Sequence, residues 1–136
     1  MGLLANFEIS GSAISAQSVR LNTTASNMAN SESVASSADE AYRTRQPVFQ
    51  AMMKDQNSPA EVGVRMLGIV ENPAGIMRQY APNHAMANEE GYIYGNNVNA
   101  VEEMANMISA SRAYQNNVEV LNTSRDLLLR ALSLGK

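Results

Sequence analysis

One histidine, His84, and three adjacent carboxylate pairs, Asp39-Glu40, Glu89-Glu90 and Glu102-Glu103, are the residues of this sequence whose types could do acid–base chemistry. A lone imidazole cannot build a His pair or a facial triad, and with Pro82 and Asn83 before it His84 reads as a loop residue. Carboxylates adjacent in sequence point in different directions on a helix and are commonly solvated in loops. The 136 residues include no cysteine, which removes disulfides, thiolate nucleophiles and Cys-based metal sites together. No spacing resembles a calcium loop or a phosphate-binding loop, and Gly63, Gly68 and Gly75 read as strand and turn punctuation. The expectation is therefore no catalytic residue, no metal, no cofactor and no small-molecule substrate.

Interaction chemistry is better represented. Nine methionines suit adaptable packing, either as core filler at helical spacing or as a groove that grips another helix. The net charge of −3 and the scattered Lys and Arg leave no basic stripe, which disfavours nucleic-acid binding. No apolar run approaches membrane-spanning length, so membrane insertion is not expected. Met1 to Gln17 lacks Lys, Arg and an uninterrupted apolar core, so a cleavable secretory signal is not expected either.

The elements that must position these residues are dominated by the last segment, Asn99 to Leu134. It is the longest run without Pro or Gly and predicts one long helix. Met104, Met107, Ser111, Tyr114, Val118, Leu121, Leu128 and Leu132 recur at three- and four-residue steps along one side, with Gln115 and Asn122 on the flank, where amides can set register between helices. Asn99 is the expected N-cap, Glu102 stands at the capping-box position, and Arg130 and Gly135 mark the end. At 1.5 Å per residue such a helix spans roughly 50 Å, whereas a compact chain of this length has a diameter of roughly 37 Å. Part of its stripe must find a partner elsewhere.

Leu3 to about Ala29 predicts a second helix, with Leu4 beside a heptad of Phe7, Ile14, Leu21 and Met28. Its opposite side is polar but nearly uncharged: Ser10, Ser12, Gln17, Asn22, Thr23, Ser26, Asn27 and Asn30. Neutral amides and hydroxyls can be buried with hydrogen bonds and without the cost of burying ions. Between the helices, Ser31 to Glu40 reads as a loop, Tyr42 to Met53 as an extended segment broken by Pro47, Lys54 to Ala60 as a loop, and Glu61 to Val70 as the best strand. Asn72 to Gly75 is a turn, Ile76 to Tyr80 a short strand, and Pro82 to Glu90 a loop. The predicted fold is mainly α: long N- and C-terminal helices packed as a coiled-coil-like pair around a short β-rich, irregular middle. The divisions are residues 1–31, 32–96 and 97–136 of one structural domain.

The two ends also resemble a known family. Ser18-Val-Arg-Leu-Asn22, Ala25-Ser-Asn-Met-Ala-Asn30, Asn97-Val-Asn99, Glu103-Met-Ala-Asn-Met-Ile108, Ala110-Ser-Arg-Ala-Tyr-Gln-Asn-Asn-Val118 and the closing Leu127-Leu-Leu-Arg-Ala-Leu-Ser-Leu-Gly135 resemble the flagellar axial proteins of bacteria, most closely their proximal rod subunits. Tyr42-Arg43, Val48-Phe49, Gly63-Val64, Tyr80, Pro82, His84 and Gly91-Tyr92 follow in the order expected of such a subunit, with departures at Asn83, Ala85 and Asn96, where Gly, Pro and Pro are common.

The resemblance implies a non-enzymatic building block, exported through the flagellar type III apparatus and assembled in the periplasmic rod that transmits torque. Its implied partners are other flagellar rod subunits, adaptor proteins that join the rod to the export gate and MS ring, and copies of itself. The residues expected to pack in that assembly are Leu4, Phe7, Ile14, Leu21, Asn22, Met28, Asn30, Met104, Met107, Tyr114, Gln115, Val118, Leu121, Leu128 and Leu132. Leu121→Asp is accordingly expected to prevent assembly. A sister rod subunit and, from a different class, a cytoplasmic export chaperone or adaptor are the competing readings. In the lone subunit the terminal helices are expected to be partly disordered, because isolated seams lack the burial that offsets ordering entropy.

Overall fold

A computed structural model describes residues 3–53 and 62–135, with side chains from residue 5 onward. The elements run α1 (Leu3–Ala29), β1 (Arg45–Met53), β2 (Val62–Glu71), β3 (Arg78–Tyr80), β4 (Tyr92–Tyr94) and α2 (Ala100–Leu134). The helix pair and the small β middle agree with the expected fold. The loop expected over Lys54 to Ala60 lies outside the described residues.

α2 begins where its cap chemistry dictates. Asn99 has extended backbone, and its side-chain oxygen accepts from the N–H groups of Val101 and Glu102, satisfying donors that the first turn leaves open. Glu102 and Glu103 place negative charge at the positive end of the helix dipole. The far end is plainer: Gly135 has φ −88°, so the glycine closes the helix without using the left-handed region. At the end of α1, the Asn30 amide donates to the Ser26 carbonyl, closing that helix from its own side chain.

The helices run antiparallel. Asn96 Nδ2 donates to the carbonyls of Ser31 and Ser33 just past the end of α1, and further in Arg20 Nη2 donates to Asn106 Oδ1 at 3.0 Å. Counting back along α1 and forward along α2 from that second bond brings Leu3 opposite about residue 123. The rest of α2 therefore overhangs the described part of α1. Its innermost positions are Glu103, Ala110 and Ser124, spaced by sevens, with Asn117 half-buried between the last two. This row is small or polar, and the larger Met107, Tyr114, Val118, Leu121 and Leu128 flank it half-buried. Small side chains on the seam let helix backbones approach closely.

β1 and β2 form an antiparallel hairpin that slips register between Val48 and Phe49. Pro47 pairs with Ile69 just before the slip, a tolerable place for a residue without an N–H because a two-stranded sheet has only edges. β3 and β4 form a second, shorter antiparallel pair. Gly91 precedes β4 with φ +79°, and a Cβ there would stand 2.9 Å from Tyr80 Cε2, so both backbone and neighbour require glycine.

Side-chain hydrogen bonds join these pieces. Asn27, 1% exposed, grips the backbone of Arg45 at both groups: Nδ2 donates to its carbonyl at 2.8 Å and Oδ1 accepts from its N–H at 2.9 Å. The Tyr42 hydroxyl donates to the same Oδ1. Ser12 Oγ accepts from Val64 N–H, holding the start of β2 to α1. Asn97 Oδ1 accepts from Thr44 N–H and Oγ1, while its Nδ2 donates to the carbonyls of Asn72 and Ala74. The uncharged face of α1 thus docks the chain's own hairpin.

Candidate functional site

The candidate acid–base groups stand apart from one another in function. His84 Nδ1 accepts from the Met86 N–H and so stabilises its own turn. Glu90 pairs with Arg78 at 3.2 Å, and the Arg78 guanidinium lies 3.6 Å from the centre of the Tyr92 ring. Glu102 is exposed, whereas Glu103 is buried against the helix pair. Among the described residues no three His, Cys, Asp or Glu side chains are grouped to hold a metal ion. Asn83 does not adopt left-handed backbone, since no described non-glycine residue has positive φ.

What the molecule presents instead is uncovered apolar surface. Among the described residues, five hydrophobic ones are buried, four of them alanines, against seven polar or charged ones. The large side chains are therefore left half-covered or exposed. On α2, Val101, Met104, Ile108, Val120, Leu127, Leu129, Leu132 and Leu134 are exposed, Leu134 at 88%. On the hairpin, Met66, Leu67, Ile69 and Val70 are exposed as well.

The residues expected to pack in an assembly fall into three groups. Phe7, Ile14, Leu21 and Met28 of α1 and Met107, Tyr114, Val118, Leu121 and Leu128 of α2 are half-buried, as is Asn30. Asn22, Met104, Gln115 and Leu132 face outward. Leu4 belongs to α1, but its side chain lies outside the described residues. Sequence periodicity did not single out Leu127, Leu129 and Leu134, although three consecutive leucines on a helix cannot all face one partner, and that signal was present. Nor did it single out Asn96, whose amide fastens the start of α2 to the turn after α1.

Comparison with known proteins bears on this surface directly. A family model described as "Flagellar basal body rod FlgEFG protein C-terminal" matches residues 89–134, the stretch from just before β4 through α2. The flagellar basal-body rod protein FlgC of Yersinia enterocolitica is 46% identical over 136 residues, all of both chains. Those of Salmonella typhimurium strain LT2 and of Buchnera aphidicola from Baizongia pistaciae are 43% and 33% identical, again over all of both chains. The chain belongs to the FlgC family of flagellar basal-body rod proteins. FlgC membership spans the whole chain, so it embraces the β-rich middle together with both helices.

Proposed function

We propose that this chain is a structural subunit of the flagellar proximal rod, which joins other axial proteins in the drive shaft that carries torque through the basal body. It is a building block and performs no catalysis. The proposal places it in the periplasmic part of the basal body, reached by type III export. Its neighbours are other rod subunits, the adaptors that join the rod to the export gate and MS ring, and further copies of itself. The half-buried residues of both helices, with Leu4, Asn22, Asn30, Gln115 and the exposed Met104 and Leu132, supply the packing surfaces.

The observation that carries this reading is the overhang of α2. Leu127, Leu129, Leu132 and Leu134 are all exposed on a helix end that outruns α1. Burying one such side chain is worth about 1.5–3 kcal/mol, a gain that neighbours in a stack supply.

Leu129→Asp and Leu132→Asp test it, because both positions are exposed and neither change disturbs the chain's own packing. Cells carrying either variant in place of the natural chain are expected not to swim and to lack complete rods. The purified variants should keep the natural thermal unfolding midpoint. Normal swimming with intact basal bodies would contradict the proposal.

A further inference from the structure

The β1–β2 hairpin is clamped at its base and lightly held beyond it. No residue of either strand is buried, which leaves its attachment to hydrogen bonds and half-covered contacts. At the base the bonds are dense. Asn27 holds both backbone groups of Arg45, Asn97 accepts from the Thr44 N–H and donates to the Asn72 carbonyl, and the Asn72 N–H donates to the Thr44 carbonyl. Nearer the tip, the described residues give one hydrogen bond to α1, from the Val64 N–H to Ser12 Oγ at 3.1 Å.

Two open grooves, about 340 and 330 Å³, flank that bond: Ile9 and Met53 wall the first, Val19 and Met66 the second, and Ser12 borders both. Glu8, at the rim of the first, is exposed and has a partner, but an exposed carboxylate contact adds little. A Cβ at Gly63 would stand 3.9 Å from Ser12 Cβ, so strand and helix touch closely at this point and part on either side of it. Grooves forfeit the contacts that close packing supplies. A unit with few buried side chains and exposed backbone bonds opens at low cost.

We propose that the hairpin is a hinged arm: it swings as one unit about its Asn27 and Asn97 base, and the Ser12–Val64 hydrogen bond is the latch that closes it on α1. Opening breaks one neutral bond to α1, whereas movement at the base would break several that are partly buried. The use of such an arm rests on the rod-subunit reading. A subunit stacked among copies and other axial proteins meets unlike neighbours while its helix pair stays packed. A pivoting arm brings the exposed Met66, Leu67, Ile69 and Val70 onto neighbours at different distances.

The natural chain has no cysteine, so one introduced pair can lock the arm. Ser12→Cys with Gly63→Cys sets the two Cβ atoms 3.9 Å apart, inside the disulfide range of about 3.5–4.5 Å. In cells carrying this double variant in place of the natural chain, the closed link is expected to abolish swimming and complete rods, and a thiol reductant in the medium should restore both. The purified linked chain should keep or raise its unfolding midpoint, which separates locking from misfolding. Intact basal bodies built from linked chain would overturn the hinge and leave the rod reading standing, whereas absence of the natural chain from basal bodies would remove that reading itself. Hydrogen exchange on the unsubstituted purified chain decides independently of both cysteines. The Val64 and Arg45 N–H groups each donate to a side-chain oxygen of α1, at 3.1 and 2.9 Å. Val64 should exchange about tenfold faster than Arg45, or more; equal protection of the two would overturn the proposal.

Discussion

At the scale of single residues, the chain is held by amides. Asn27 satisfies both backbone groups of Arg45 and receives the Tyr42 hydroxyl, so Asn27→Ala takes the side-chain partner from both Arg45 backbone groups and leaves the Tyr42 hydroxyl only its contact with Ser26 Oγ. Each such loss costs about 1–3 kcal/mol where water cannot substitute, and the expected destabilisation is about 2–4 kcal/mol by chemical denaturation. Tyr42→Phe removes one of the three bonds and should cost about 1 kcal/mol. A midpoint unchanged by Asn27→Ala would show that the hairpin is anchored by other means. Gly91→Ala combines left-handed backbone with a clash against the Tyr80 ring, which stacks edge-on with Tyr92 at 5.1 Å. It should cost about 1–3 kcal/mol, read as a lower melting temperature and a weakened near-UV tyrosine signal.

At the scale of elements, both helices and the extent of the hairpin strands were legible, and for identifiable reasons. The Asn99 cap and the absence of Gly and Pro through Leu134 bound α2; Asn99→Ala should destabilise the chain by about 1 kcal/mol through loss of that cap. Less legible was the rotation of α2, because its innermost row of Glu103, Ala110 and Ser124 carries no apolar pattern. Periodicity finds large apolar side chains, and here these flank the seam while Met104 and Leu132 face outward. The three-residue β4 was too short to read from alternation, and its place is set by pairing with β3 and by the Ala35–Tyr94 bridge. The neutral face of α1 was recognised as a surface to be covered, but the sequence did not reveal that part of its cover is the chain's own hairpin. The overhang leads to a kinetic expectation: in the isolated subunit, amides from Arg125 to Leu134 should exchange hydrogen quickly, since no second helix shields them, and in assembled rods they should exchange slowly. Strong protection of that segment in the isolated chain would contradict this account of α2.

At the scale of the whole molecule, the chain carries more surface than its mass requires. Its accessible surface is 9226 Å², against roughly 6,900 Å² for a compact monomer of this mass. An excess of about 2,300 Å² is the order of area that stable protein interfaces remove from water, and much of it is uncovered leucine, methionine and valine on α2 and the hairpin. Membership of the FlgC family and this unsatisfied surface therefore converge on the same role. The most direct measurement is an electron cryomicroscopy map of purified basal bodies with this chain traced in the rod. The account predicts that Leu127, Leu129, Leu132 and Leu134 are covered there by neighbouring subunits; a rod without this chain, or one in which those leucines face open solvent, would contradict it.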